Sequence, residues 1–111
     1  MQRFGQIIRL KPEKYDEYKR LHAAVWPDVL AKLHESNITN YSIYHRGGLL
    51  FAYFEYVGSD FAADMAKVGN DPRTHEWWAV TDPCQQPFEG EAQGSTEGNW
   101  WLPMEELFHM E

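Results

Sequence analysis

Apolar positions change their spacing several times along the chain, and each change marks an element. Phe4 to Leu10 alternates imperfectly around Ile7 and Ile8 and stops at Lys11-Pro12, which predicts a strand running into a turn. From Pro12 the period becomes three to four. Tyr15, Tyr18, His22 and Val25 make a stripe on one helix face, and Glu13, Asp16 and Glu17 place negative charge near the N-terminus, where the helix dipole favours it. Pro27 lacks an N–H and pushes Trp26 away from the helical region, so a break is expected near Ala23 to Trp26, with a second helix from Pro27 to about Ser36.

Asn37 to Tyr44 and Leu49 to Val57 are rich in aromatic and β-branched residues, and Gly47-Gly48 between them signals a tight hairpin. Ser59 is the expected cap of a helix carrying Phe61, Ala62, Met65 and Val68. After Gly69, Asp71-Pro72 opens a short helix through Trp77, Trp78 and Val80. Residues 83–101, crowded with Gly, Pro, Glu and Gln, predict an irregular loop, and Met104 to Met110 predicts a last strand around Leu107 and Phe108. The resulting order, β, broken α, β, β, α, α, β, is that of a ferredoxin-like (βαββαβ) α+β domain with helices on one face of an antiparallel sheet. The other face carries too many aromatics to stay in water. A homodimer with facing sheets is therefore expected, a dimeric α+β barrel in which the last strand or the long loop reaches across.

Composition narrows the function classes. The 111 residues suit one domain, 1–111, and 43% apolar with 15% aromatic residues are enough for a core. Ten basic against seventeen acidic side chains leave a net charge of −7, which repels phosphate backbones and anionic lipid surfaces; no nucleic acid and no membrane is expected as partner. Cys84 is the sole cysteine, so no intrachain disulfide and no cysteine metal cluster can form. The short apolar stretch at the start is not a signal peptide, no run is long enough for a membrane span, and a cytoplasmic location is expected.

His22 is the sharpest candidate for chemistry. It shares a helix face with Tyr18 beside the expected break, and an imidazole exchanges protons near neutrality; the same spacing equally fits a hydrogen-bonded histidine at the core boundary. Tyr18 and Tyr41 combine an apolar body with a polar tip, which suits a sugar wall or ordinary packing. Trp77 and Trp78 point about 100° apart on their helix, so one is expected in the core and the other at a pocket or the dimer seam. Trp100-Trp101 pose the same choice in the loop. His34, His45, His75 and His109 are scattered without metal-ligand spacing, and no metal is expected. Glu55, Asp60, Asp64 and Asp82 remain possible acids or bases. Nucleotide-binding and acyl-enzyme motifs are absent, and Cys84 has no activating neighbour in sequence.

Tyr18-x-x-x-His22-x-x-x-Trp26-Pro27, Asn40-Tyr41-Ser42-Ile43-Tyr44, Trp77-Trp78 and Glu106-Leu107-Phe108, taken in order across nearly the whole chain, resemble the L-rhamnose mutarotase family. The resemblance implies a dimeric α+β barrel that interconverts the α and β anomers of L-rhamnose, or a related deoxy-sugar, with no cofactor. It implies His22 as proton donor, Tyr18 and Tyr41 as sugar contacts, and Trp77 and Trp78 as the paired substrate-site tryptophans; mutarotation needs one acid and one base, and His22 is expected to donate as an imidazolium. The chain departs from the family pattern at Ala23-Ala24, where Asn-Pro is frequent, and in the length of 83–101. Fold alone leaves two other classes open, a cofactor-independent monooxygenase or haem-handling protein and a non-catalytic sugar- or metabolite-binding module.

Overall fold

The structure is a computed structural model that describes residues 1–88, 94–96 and 100–111. β1 (Gln2–Leu10) ends at Lys11, and Pro12–Lys14 form a 3₁₀ turn leading into α1 (Tyr15–His22). Trp26 is extended (φ −59°, ψ 131°), as a residue before proline must be, and α2 (Pro27–Glu35) starts at Pro27. The break falls where the sequence predicts it. β2 (Ile38–Arg46) and β3 (Leu49–Tyr56) form the hairpin, with Gly47 and Gly48 both at positive φ (56° and 82°), the conformation that a two-residue turn between twisted strands requires. α3 (Phe61–Gly69) and α4 (Pro72–Thr81) follow, then a 3₁₀ turn (Asp82–Cys84), β4 (Gln85–Gln86) and β5 (Leu102–Met104).

All strands join one antiparallel sheet in the order β2-β3-β1-β4, and β5 also pairs with β1. That is the ferredoxin-like order, with its fourth position shared by two short segments: β4 pairs at Arg9 and Leu10, β5 at Gly5 to Ile7. Ile8, Leu10, Leu50, Ala52 and Tyr56 point to the buried face against the helices, while Ile7, Phe51 and Tyr53 occupy the other.

Three expectations need correction. The α3 cap is Asp60, whose carboxylate accepts from Ala63 N–H, and Ser59 lies one residue outside. The last strand is Leu102–Met104, and 105–111 form no regular structure. Counting on from the Gly5–Met104 pair, Leu107 and Phe108 fall opposite Gln2 and Met1, at and just beyond the end of β1, and both stay exposed. The 83–101 loop holds β4 and a turn at its start; its residues 89–93 and 97–99 lie outside the described residues.

Candidate active site

A cavity of about 610 Å³ opens between the sheet's inner face and the helices, within the range of small-molecule sites. His22 enters it from the C-terminal end of α1, Tyr41 from β2, and Trp77 and Trp78 from α4. Gln6, Phe54, Trp100 and Trp101 line it as well, and Val29, Leu33 and Val68 give it an apolar side.

His22 is held on three sides. Its Nδ1 lies 2.9 Å from the Tyr18 carbonyl oxygen, which can only accept, so Nδ1 carries the proton and Nε2 presents a lone pair. Its ring lies 4.1 Å from that of Tyr18 and 5.3 Å from the edge-on Trp77, centroid to centroid. Trp77 in turn meets Trp26 at 5.1 Å, and the Arg73 guanidinium covers Trp26 at 3.9 Å. Loss of water around the imidazole lowers its pKa below the ordinary value of 6.5, against an opposing effect of the bond to Tyr18. An apolar aromatic wall therefore favours the neutral form.

A β-bulge aims Tyr41 inward. The β2–β3 register shifts between Thr39 and Ser42, and Asn40 takes a left-handed conformation (φ 48°), so Asn40 and Tyr41 together oppose Phe54. Asn40 turns outward and donates to Glu55 at 2.7 Å, while the Tyr41 ring meets Phe54 at 5.5 Å. Part of the Tyr41 ring is exposed, but its hydroxyl end is desolvated. Burial pushes the phenol up to about 12, a bond with Gln6 opposing it.

Tyr18 is placed differently from the other four predicted residues. It is 5% exposed, belongs to the core with Ile8, Leu10, Leu50 and Trp100, and stands behind His22 outside the cavity lining. Its hydroxyl accepts from Gln85 Nε2 at 2.9 Å, and burial raises its pKa, so the phenol stays protonated. Trp77 and Trp78 both reach the cavity. Trp77 is nearly buried, Trp78 less so and stacked on His75 at 5.6 Å, and the space between α4, α2 and the sheet is wide enough for two indoles on diverging bearings.

None of the four flagged carboxylates lines the cavity. Asp60 caps α3, Glu55 accepts from Asn40 and Tyr53 on the outer sheet face, and Asp64 sits in a closed network described below. Asp82 accepts from the Ser95 N–H at 2.8 Å and from the Ser95 hydroxyl, fixing a residue that touches the cavity. Cys84 is fully buried and desolvation raises its thiol pKa, which keeps it an unreactive thiol. Among the described residues no group of three or more His, Cys, Asp or Glu is arranged for a metal ion, and no helix is long and apolar enough to cross a membrane. Sequence reasoning missed Gln6, Phe54 and Gln85. Strand alternation carries a signal for the first two, since both share the inner face with Ile8 and Ala52; a glutamine in a polar loop carries none.

Comparison with known proteins shows the fold and the family. The L-rhamnose mutarotase from Oceanobacillus iheyensis is 29% identical over 113 aligned residues, spanning 100% of both chains. The crystal structure of an L-rhamnose mutarotase from Formosa agariphila superposes with a TM-score of 0.76 at 22% identity, covering 100% of both chains. Tetracenomycin F2 cyclase from Streptomyces glaucescens, a type-II polyketide cyclase, has the same fold at a TM-score of 0.70 and 12% identity, covering 100% of this chain and 98% of its own. The family model described as L-rhamnose mutarotase matches residues 3–110, and the chain belongs to that family.

Proposed function

We propose that this chain, as one catalytic domain, interconverts the α and β anomers of L-rhamnose without a cofactor, with His22 as the proton-transfer group. The observation that carries the reading is the placement of His22: an imidazole on the cavity wall whose Nδ1 is committed to the Tyr18 carbonyl, beside two tryptophans and Tyr41 in the same small concavity. Mutarotation needs one proton removed from the anomeric hydroxyl and one added to the ring oxygen. His22 Nε2 takes the first as the bond between the anomeric carbon and the ring oxygen breaks, and hands that proton to the ring oxygen; rotation about the exposed carbon–carbon bond and reclosure reverse both transfers. The imidazolium formed in the first half is the donor in the second. Tyr41, kept protonated by its raised pKa, donates a hydrogen bond that orients a sugar hydroxyl. Trp77 and Trp78 offer flat surfaces to the apolar face of the ring and the methyl of a 6-deoxy sugar. Tyr18 supports this arrangement from behind, through its ring and its carbonyl.

A homodimer completes the reading. Tyr44 and, on the tail, Leu107, Phe108 and Met110 are exposed, and Tyr44 pairs in register with Phe51 on the outer face of the sheet. A second copy of the sheet, with the tail crossing to it, buries this surface, which is otherwise an unusually apolar one for a monomer. Light scattering at micromolar concentration should give twice the monomer mass. A cytoplasmic location fits a buried, reduced thiol and a free monosaccharide substrate. The activity is tested by saturation-difference NMR on a panel of deoxy-hexoses: anomer exchange accelerated for L-rhamnose supports the reading, and exchange at the uncatalysed rate for every sugar overturns it.

A further inference from the structure

Gln85 is a polar side chain sealed inside the protein, 4% exposed, on the short segment that pairs with Leu10. Both ends of its amide are bonded: Oε1 accepts from Trp100 Nε1 at 2.9 Å, and Nε2 donates to the Tyr18 hydroxyl at 2.9 Å. An indole N–H can only donate, so the amide cannot be turned around. The oxygen must face Trp100 and the nitrogen must face Tyr18. The Tyr18 oxygen is thereby an acceptor at this contact, and its own proton is left for a different partner. The rest of the same tyrosine lies against the His22 ring and takes the His22 Nδ1 proton on its carbonyl. Trp100 is itself part of the cavity wall, so a single amide ties two sides of the cavity together. Packing alone would be served by leucine, and a buried amide costs free energy unless both of its ends are satisfied.

Resting on the mutarotase reading, we infer that Gln85 is a positioning residue for the reaction: it locks the Trp100 wall to the Tyr18 and His22 pair and fixes the direction in which the Tyr18 hydroxyl donates. Gln85→Glu keeps the size of the side chain and the bond to Trp100; ionised it presents only acceptors, so Tyr18 must donate to residue 85, whereas protonated it can donate to Tyr18 as the amide does. Gln85→Leu removes both bonds. The glutamate variant should lose about tenfold in kcat with KM little changed, the scale of one misdirected hydrogen bond, and should gain a new pH dependence as the buried carboxyl titrates. The leucine variant should lose kcat similarly and raise KM as the Trp100 wall loosens. Nitrogen-15 NMR of His22 should show the Nδ1-protonated tautomer in the wild type and a mixture in the leucine variant.

Wild-type kcat, KM and His22 tautomer in a folded leucine variant overturn the inference, whatever that variant does to Tm. Should neither variant at 85 fold, Trp100→Phe carries the test, since it removes the donor that orients the amide: mixed His22 tautomers support the inference and an unchanged tautomer overturns it. If the wild-type protein exchanges no anomers, the mutarotase reading fails separately, and the His22 tautomer populations alone decide the coupling.

Discussion

Asp64 and His22 are both polar groups set among apolar side chains, and the fold treats them in opposite ways. Every oxygen of Asp64 is occupied: Oδ2 accepts from Tyr56 at 2.5 Å and from Asn37 at 3.0 Å, and Oδ1 meets Lys67 at 3.0 Å. The Tyr56 hydroxyl receives the Asp60 N–H as well, at 2.8 Å. Gly58 seals this cluster, because a Cβ there would overlap the Tyr56 hydroxyl and come within 2.7 Å of Asn37 Nδ2 and Asp64 Oδ2. His22 has one nitrogen committed, and its other has no hydrogen-bond partner among the described residues. A saturated polar group holds elements together, here β3, the start of β2 and α3. A group with one valence left open, on a cavity wall, is available to a ligand.

The comparison breaks if His22 proves structural. His22→Ala should slow anomer exchange by about 10²- to 10⁴-fold, the usual contribution of a positioned acid–base group, with Tm close to wild type; exchange at the wild-type rate in saturation-transfer NMR would sink the assignment. Gly58→Ala should do the reverse. Crowding the Asp64 cluster should cost about 1–3 kcal/mol in urea unfolding while the exchange rate per folded molecule stays unchanged. The corrected α3 cap gives a smaller effect: Asp60→Ala should cost about 1 kcal/mol, and Ser59→Ala under about 0.5 kcal/mol.

Acid separates the two clusters without mutation. The Tyr56 hydroxyl, Asn37 and Lys67 hold the Asp64 pKa down at about 2, below its ordinary value of 3.8. The stability it contributes is complete above the unfolded value and is lost as pH falls through that interval toward 2. His22, whose pKa lies below 6.5, should lose activity first. The rate should be flat through neutrality and fall on acidification below the ordinary imidazole range while the circular dichroism spectrum is still native; a rate that rises on acidification would show that the imidazolium is the working form in the resting enzyme.

The elements that were legible in the sequence are those set by one local residue. Pro27 stops a helix wherever it stands, Gly47-Gly48 admits positive φ, and Asp71-Pro72 caps and starts α4 as the spacing predicts. Misplaced features depend on a partner in another element. Leu107 and Phe108 have the composition of a strand, yet they fall opposite the last residue of the β1 edge, Gln2, and the residue beyond it, Met1. Ser59 and Asp60 are both good caps, and Asp60 is also the residue whose N–H reaches the Tyr56 hydroxyl. His22, Tyr41, Trp77 and Trp78 were joined as a group by the family resemblance, since the spacing of each also fits ordinary packing. Gln85 was not, since its importance lies wholly in contacts with residues 15 and 67 positions away.

The bulge at Asn40 and Tyr41 acts as a phase shifter along β2. Before it, Ile38 faces the helices and Thr39 faces away; after it the parity reverses, and Ser42 faces away while Ile43 and Tyr41 share the helix side. Asn40 is the residue that absorbs the change of phase. Forcing regular pairing with Asn40 retained would turn either the cavity side or the Ile38 end of β2 inside out, whereas deleting Asn40 would leave Ile38, Tyr41 and Ile43 on their present face and remove only the kink.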